Sequence, residues 1–301
     1  MKIVISGGSG LIGEAVTTAL ARRGEVGVLT RNPAKVSTGR PIRWDPAETR
    51  GSWQDEVAAA DVVVNLAGEN AGEGRWSEAK KRRLVGSRIE ATRSLVDAMR
   101  RSERSERLLI SASAVGIYGN RGDEILEDDA PSGSGLLADL GRAWEAEARQ
   151  AESVSRVVIF RFGLVLSSRG GALARMLPIF RAGVGGRLGD GTQWWPWIDL
   201  DDVAMLCDRV IDRRDAAGTY NAVAPEPVRN AEFTRELARA MHRPAILPAP
   251  AFALRLAFGQ MADEMILASQ RAVPRRLLAE GFELAQPELG EALRWELART
   301  R

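Results

Sequence analysis

Histidine and cysteine are almost missing from this sequence: one of each, His242 and Cys207, in 301 residues. A single cysteine excludes an intrachain disulfide and a cysteine cluster for a metal. With so few ligands and bases, metal catalysis and a Ser-His-Asp triad find little support, and no metal is expected. Cys207 lies in the apolar run 203–207 and reads as a buried, inert thiol. Tyrosine is scarce as well, with only Tyr118 and Tyr220, and no lysine follows Lys81. No apolar stretch is long enough to span a bilayer, so no membrane partner is expected. Nor does one sign of charge dominate. There are 42 basic and 40 acidic residues, interleaved on helix faces, which argues against a nucleic-acid footprint. Nothing resembles a signal peptide, because a first strand starts at Lys2, so the expectation is a reducing, cytoplasmic setting.

What the chain does have is glycine in one telling place. The apolar run Ile3-Val4-Ile5 leads into Gly7-Gly8-Ser9-Gly10-Leu11-Ile12-Gly13. Glycine permits positive φ and lets backbone N–H groups approach a phosphate closely. The helix that follows, with Leu11, Ala15 and Leu20 as its apolar stripe, points its positive end at the same place. The Gly8-x-Gly10-x-x-Gly13 spacing is a dinucleotide fingerprint, strengthened by its strand–turn–helix context. The second strand, 26–30, ends at Thr30-Arg31-Asn32-Pro33 with no acid to accept from a ribose 2′-hydroxyl. Arg31 offers a planar cation and Thr30 a hydroxyl. A guanidinium suits a 2′-phosphate, so NADP(H) is favoured over NAD.

The chain is long enough for one large domain or two lobes. Strands and helices then alternate. Residues 61–66 read as a strand buried on both faces, 77–101 as a long helix, 107–111 as a strand, 136–151 as a helix and 156–161 as a strand. Such alternation implies an α/β fold, a Rossmann-type doubly wound parallel sheet. A smaller C-terminal lobe completes it. The expected division is a nucleotide-binding domain of residues 1–165, to which 198–224 returns, and a smaller substrate lobe of 166–197 and 225–301. Ligands in such sheets sit beyond the carboxyl ends of the strands. One mouth therefore collects the glycine turn, Thr30 and Arg31, the segment Asn65-Leu66-Ala67-Gly68, Ser111-Ala112-Ser113, and Phe162. Three tryptophans, Trp194, Trp195 and Trp197, crowd one short loop. They either stack on a substrate or close the mouth, or they pin a lid to the sheet as plain packing.

These motifs resemble the extended short-chain dehydrogenase/reductase superfamily, whose glycine spacing Gly7-x-x-Gly10-x-x-Gly13 reproduces. More narrowly, the chain is similar to the atypical epimerase-like family sometimes labelled SulA-like or nucleoside-diphosphate-sugar epimerase. The resemblance spans essentially the whole chain. It is carried also by Asn65-Leu66-Ala67-Gly68-Glu69, Arg75-Trp76, Ser87-Arg88, residues 111–116, Trp144-Glu145, residues 161–166, Trp197-Ile198-Asp199 and residues 242–245. It implies a Rossmann-type fold with bound NADP(H). Ordinary short-chain dehydrogenases use Tyr-x-x-x-Lys on one helix face, the lysine lowering the tyrosine pKa and holding the nicotinamide ribose. Four residues beyond the two tyrosines stand Gly122 and Ala224, so the pair cannot exist here. Aligning on Glu145 puts Leu137 and Gly141 at the two positions. Ser113 matches the serine that bonds the substrate carbonyl in relatives.

Other groups are candidates for catalysis. Tyr118 either reaches the mouth or is an ordinary structural tyrosine. Glu69 either acts as an acid or base when desolvated, or is solvated or paired with Arg75 or Arg161. Arg75, Trp76, Leu137, Arg161, Trp194 and Trp197 are the candidate lining of a small-molecule substrate pocket. Three readings follow: an NADP-dependent oxidoreductase or epimerase-like enzyme, a non-catalytic NADP(H)-binding regulatory protein, and a cell-division or assembly factor. The protein is expected as a monomer or a homodimer through the helices 77–101 and 136–151.

Overall fold

Apolar side chains alternate between the two faces of one sheet. Ile3 and Ile5, Val62 and Val64, Leu108 and Ile110, and Val158 and Phe160 share one core. Val4, Val63, Leu109, Val157 and Ile159 share another. A strand reverses its side chains at every residue, so both faces are buried only if helices cover both. The computed structural model describes every residue except 49, 103, 105, 300 and 301.

The chain runs β1 (Lys2–Ser6), α1 (Leu11–Leu20), β2 (Glu25–Thr30), β3 (Arg40–Arg43), α2 (Trp53–Ala58), β4 (Val62–Asn65), α3 (Glu78–Arg100) and β5 (Leu108–Ala114). It continues through β6 (Ile125–Leu126), α4 (Leu136–Arg149), β7 (Arg156–Phe162), β8 (Leu164–Leu166), α5 (Gly171–Arg181), β9 (Trp194–Trp195) and β10 (Trp197–Asp199). Then come α6 (Leu200–Asp212), β11 (Gly218–Ala222), β12 (Val228–Arg229), α7 (Asn230–Met241), α8 (Ala251–Phe258), β13 (Arg271–Ala272), α9 (Arg275–Ala279) and α10 (Leu289–Ala298). Seven strands form the main sheet in the order β11-β7-β5-β4-β1-β2-β3, every neighbouring pair parallel. This is a doubly wound Rossmann-type sheet, with its reversal of strand order between β1 and β4. β3 buries only Ile42 among its four residues, so no apolar run signals it. No helix among the described residues is long and apolar enough to cross a membrane.

A further core joins α5, α7 and α10 through Leu173, Leu177, Phe180, Phe233, Leu237, Ala292 and Leu293, with Trp195 and Trp197 inside it. This further core, through Trp197, and the first of the two sheet cores, through Ile198, come together just before α6. Asp199 caps that helix, accepting from the Asp201 N–H at 2.8 Å through Oδ1, and is fully buried. Its Oδ2 has no hydrogen-bond partner among the described residues. Burial pushes the Asp199 carboxyl up to about 7, reinforced by the Glu296, Asp201 and Asp202 carboxylates and opposed by the Asp201 N–H. Glu296, on α10, accepts the Ser168 N–H at 2.5 Å. The last helix is thus tied to the loop before α5 beside a buried acid.

The sign of this arrangement is fixed. Below the ordinary aspartate range Asp199 is neutral in both states. As pH rises toward 7 the unfolded chain sheds the proton and the folded one holds it, so stability falls across that window and levels off above it. Asp199→Asn removes the titration. The stability difference between variant and wild type, measured by urea unfolding, is expected to shift in the variant's favour by about 2 kcal/mol between about pH 5 and about pH 8. A difference constant over that range would show that the carboxyl is not held neutral.

Candidate functional site

The turn after β1 closes by backbone approaches that only glycine allows. Gly7 has φ +73°, and a methyl group on it would lie 2.5 Å from the Leu66 carbonyl oxygen. A methyl on Gly13 would lie 2.1 Å from the Gly7 carbonyl oxygen and 2.6 Å from Gly8 Cα. These neighbours are backbone and cannot swing aside. Gly10 caps α1 without a side-chain bond and donates its N–H to the Gly7 carbonyl at 3.0 Å. Ser9 and Gly10 are exposed, Leu11 and Ile12 half-buried. The first N–H groups of a helix lack intrahelical partners. Here they open at an uncapped, solvent-facing start, a cradle that fits a pyrophosphate. Leu11 also lies against the loop before α5, 3.3 Å from where a methyl on Gly170 would stand.

At the end of β2 the Thr30 hydroxyl accepts the Asn32 N–H at 3.0 Å and also lies 3.2 Å from the Asn32 carbonyl oxygen. Asn32 in turn accepts the Ala34 N–H. Thr30 therefore locks the turn, and Arg31 stands exposed at its tip.

Behind the strand ends runs a buried polar ladder. Ser6 donates to Asn65 Oδ1 at 2.8 Å, and Asn65 Nδ2 donates to Thr92 Oγ1 at 2.8 Å and to Ser111 Oγ at 3.4 Å. Trp144 Nε1 also donates to Thr92 Oγ1, at 3.0 Å. The Asn65 and Ser111 side chains thus align β1, β4 and β5, and what they offer a ligand is the position of the backbone beyond them. Leu66 and Ala67 are half-buried there and Gly68 is exposed, while Ala112 and Phe162 are core residues.

Ser113 belongs to a second network. Its hydroxyl donates to Glu145 Oε1 at 2.8 Å. Glu145 is buried and accepts from Arg161 Nε at 2.7 Å and Nη2 at 2.8 Å. Arg161 also donates to the Tyr118 hydroxyl at 2.8 Å and to the Asp128 carbonyl. Tyr118 is fully buried, and its hydroxyl donates to Asn221 Oδ1 at 2.7 Å. Burial works against the charge on Arg161, but Glu145 and Tyr118 hold it above the ordinary arginine range. Burial lifts the Tyr118 hydroxyl above its ordinary value, against the pull of Arg161. The geometry puts Tyr118 on the side of the structural alternative, and Arg161 in the wall rather than the lining.

Glu69, half-buried, pairs with Lys80 at 2.8 Å and Arg83 at 3.4 Å, not with Arg75 or Arg161. The Lys80 hydrogen bond holds its carboxyl below the ordinary glutamate range, so it is ionised at neutral pH. Arg75 is exposed and lies against Gly259. Trp76, Leu84 and Met261 form a small apolar cluster with Leu136, Leu137 and Ile266 around them. Two further contacts tie this cluster to the C-terminal segment. Glu264, in a π-helical turn (Ala262–Ile266), accepts the Leu136 N–H at 3.1 Å and the Leu137 N–H at 2.8 Å. It caps α4 from a distant part of the chain, and nothing in the local pattern of either segment signals the pairing. Trp195 and Trp197 are buried packing residues. Trp194 carries Arg229 and Arg271 over its ring at 4.4 and 4.5 Å and donates to Asp123, at 2.7 Å, so it pins the loop.

Comparison with known proteins agrees with this geometry. The family model described as the NAD dependent epimerase/dehydratase family matches residues 3–223, and a domain of unknown function matches residues 249–296. The chain is 41% identical to Epimerase family protein Mb2239 of Mycobacterium bovis over 300 residues, covering 99% of this chain and 98% of that protein. It is 35% identical to the Homo sapiens epimerase family protein SDR39U1, covering 98% and 99%. A crystal structure of the human protein with NADPH superposes with a TM-score of 0.89 at 34% identity, covering 99% of both chains. The glycine cradle, the parallel sheet and these matches together make the chain a member of the NAD-dependent epimerase/dehydratase family.

Proposed function

We propose that this chain binds NADP(H) across the mouth of its sheet and is an oxidoreductase on a small carbonyl or sugar-like substrate, working without a Tyr-x-x-x-Lys pair. The observation that carries the reading is the exposed Arg31 just past the end of β2, the strand paired with β1 whose exit holds the glycine cradle, on a turn that Thr30 holds. A relative crystallised with NADPH supports it. In this reading the N–H groups at the start of α1 take the pyrophosphate and Arg31 takes the 2′-phosphate. The bound coenzyme supplies or accepts a hydride. Trp76 and Leu137, with Met261 and Ile266 beside them, form an apolar wall that keeps water from the reacting carbon. Ser113 is assigned to the substrate carbonyl, its O–H turning from Glu145 to the substrate oxygen.

Proton supply is the weak step. Glu69 is held ionised and Tyr118 is buried, so neither donates a proton readily at neutral pH. General acid–base help is worth about 10²- to 10⁴-fold, and turnover is expected to be correspondingly slow. The same observation favours a second reading, an NADP(H)-binding protein with no turnover.

Calorimetry with both reduced coenzymes tests the cofactor. Arg31→Ala is expected to lower the preference for NADPH over NADH by about tenfold or more while leaving NADH affinity within about twofold. An unchanged preference would remove Arg31 from the coenzyme site. Loss of NADPH absorbance against a panel of aldehydes, ketones and sugars separates the two functional readings. Where a substrate is found, Ser113→Ala is expected to cut kcat/KM by about tenfold or more with NADPH affinity unchanged, the size of a lost hydrogen bond to a developing alkoxide. A panel with no hydride loss would leave the non-catalytic reading standing.

A further inference from the structure

Arg88, on α3, is a cation fixed in place with no acid in contact among the described residues. A methyl on Gly68 would lie 3.0 Å from its Cζ and 3.2 Å from its Nε and Nη2, so the guanidinium rests against that exposed glycine. Its Cζ lies 5.1 Å from the Trp144 ring centroid, and Nη1 donates to the Leu84 carbonyl at 3.1 Å. Among the described residues no carboxylate forms an ion pair with it. Glu69, the acid that acts on it through space, is already held by Lys80 and Arg83. Burial pulls the guanidinium down to about 10, opposed only by Glu69. A half-buried arginine that keeps its charge without a carboxylate in contact is set to receive an oxyanion.

Its place in the sheet says which. The Arg88 carbonyl accepts the Thr92 hydroxyl at 2.7 Å, and Thr92 joins the ladder at the ends of β1, β4 and β5. Arg31 marks the end of β2, on the other side of β1. A dinucleotide lying across the switch point, with its adenosine at β2, brings its other half over β4 and β5. We propose that Arg88 binds phosphate or ribose oxygens of the nicotinamide-nucleotide half of the coenzyme, an assignment that rests on the NADP(H) reading above.

Adenosine 2′,5′-bisphosphate carries the adenosine end alone and separates the halves. By calorimetry, Arg88→Met is expected to bind NADPH about tenfold or more weakly and the bisphosphate within about twofold of wild type, with Arg88→Lys recovering part of the loss. NADPH affinity unchanged, or an equal loss for both ligands, would overturn the assignment. Should Arg88→Met not fold, the unaltered protein answers through phenylglyoxal labelling read by peptide mass spectrometry. NADPH is expected to protect Arg88 and the bisphosphate to leave it reactive, whereas equal protection or none would overturn the proposal. A wild-type protein that binds neither ligand would fail the NADP(H) reading itself, a result distinct from either Arg88 outcome.

Discussion

The site depends on two atoms that a side chain would displace. The Gly7 carbonyl oxygen fills the space where a Gly13 Cβ would stand, and the Leu66 carbonyl fills the space beside Gly7. Through these approaches the exit of β1, the start of α1 and the exit of β4 are fixed to one another at backbone contact. Strand twist and helix packing leave several ångströms of freedom at a loop tip, and a shift of that size empties an anion site of its N–H donors. The glycines remove that freedom sterically, without adding a bond. The buried ladder from Ser6 through Asn65 to Ser111 and Thr92 does the rest from below, aligning three strand ends with side-chain hydrogen bonds.

Arg161 and Arg88 show how differently a cation held out of bulk solvent can be used. Arg161 is matched by Glu145 on two nitrogens and by Tyr118 and the Asp128 carbonyl on a third. Such a fully satisfied pair offsets its own desolvation and makes a rigid wall, and removing one partner would strand a buried charge. Arg88 has the stacking and one carbonyl but lacks the carboxylate. The first arrangement is complete in the protein alone. The second becomes complete only when something anionic arrives.

Much of this was legible in the sequence, for physical reasons. Apolar runs such as 62–64 and 157–160 are buried on both faces, and the glycine spacing has few uses other than a tight strand-to-helix turn. The missing tyrosine–lysine pair was a matter of counting. What was not legible depends on contacts between distant segments. β3 has one buried side chain and is defined by its pairing with β2. Glu69 lies eleven residues before Lys80, and only the path of α3 brings that lysine, rather than Arg75, to it. Tyr118 stands five residues after Ser113, yet a short helical turn sends its hydroxyl to Asn221, more than a hundred residues on. Sequence proximity to a catalytic-type serine says nothing about the direction of a side chain.

The C-terminal segment holds the start of α4 in place. α4 carries Leu137 in its first turn and Gly141 in its second, with Glu145 one turn further on. A helix start without a local cap leaves its first N–H groups to be satisfied from outside. Gly135, the residue before α4, makes no side-chain cap, and the carboxylate of Glu264 supplies both bonds. Met261 and Ile266, from the same turn, complete the apolar cluster around Trp76 and Leu137. An anionic side chain at a helix N-terminus is favoured by the helix dipole as well as by the two hydrogen bonds. The segment that includes this turn therefore does more than cover a surface. It fixes the entry angle of α4, so the start of that helix and the docking of the C-terminal segment are one structural variable.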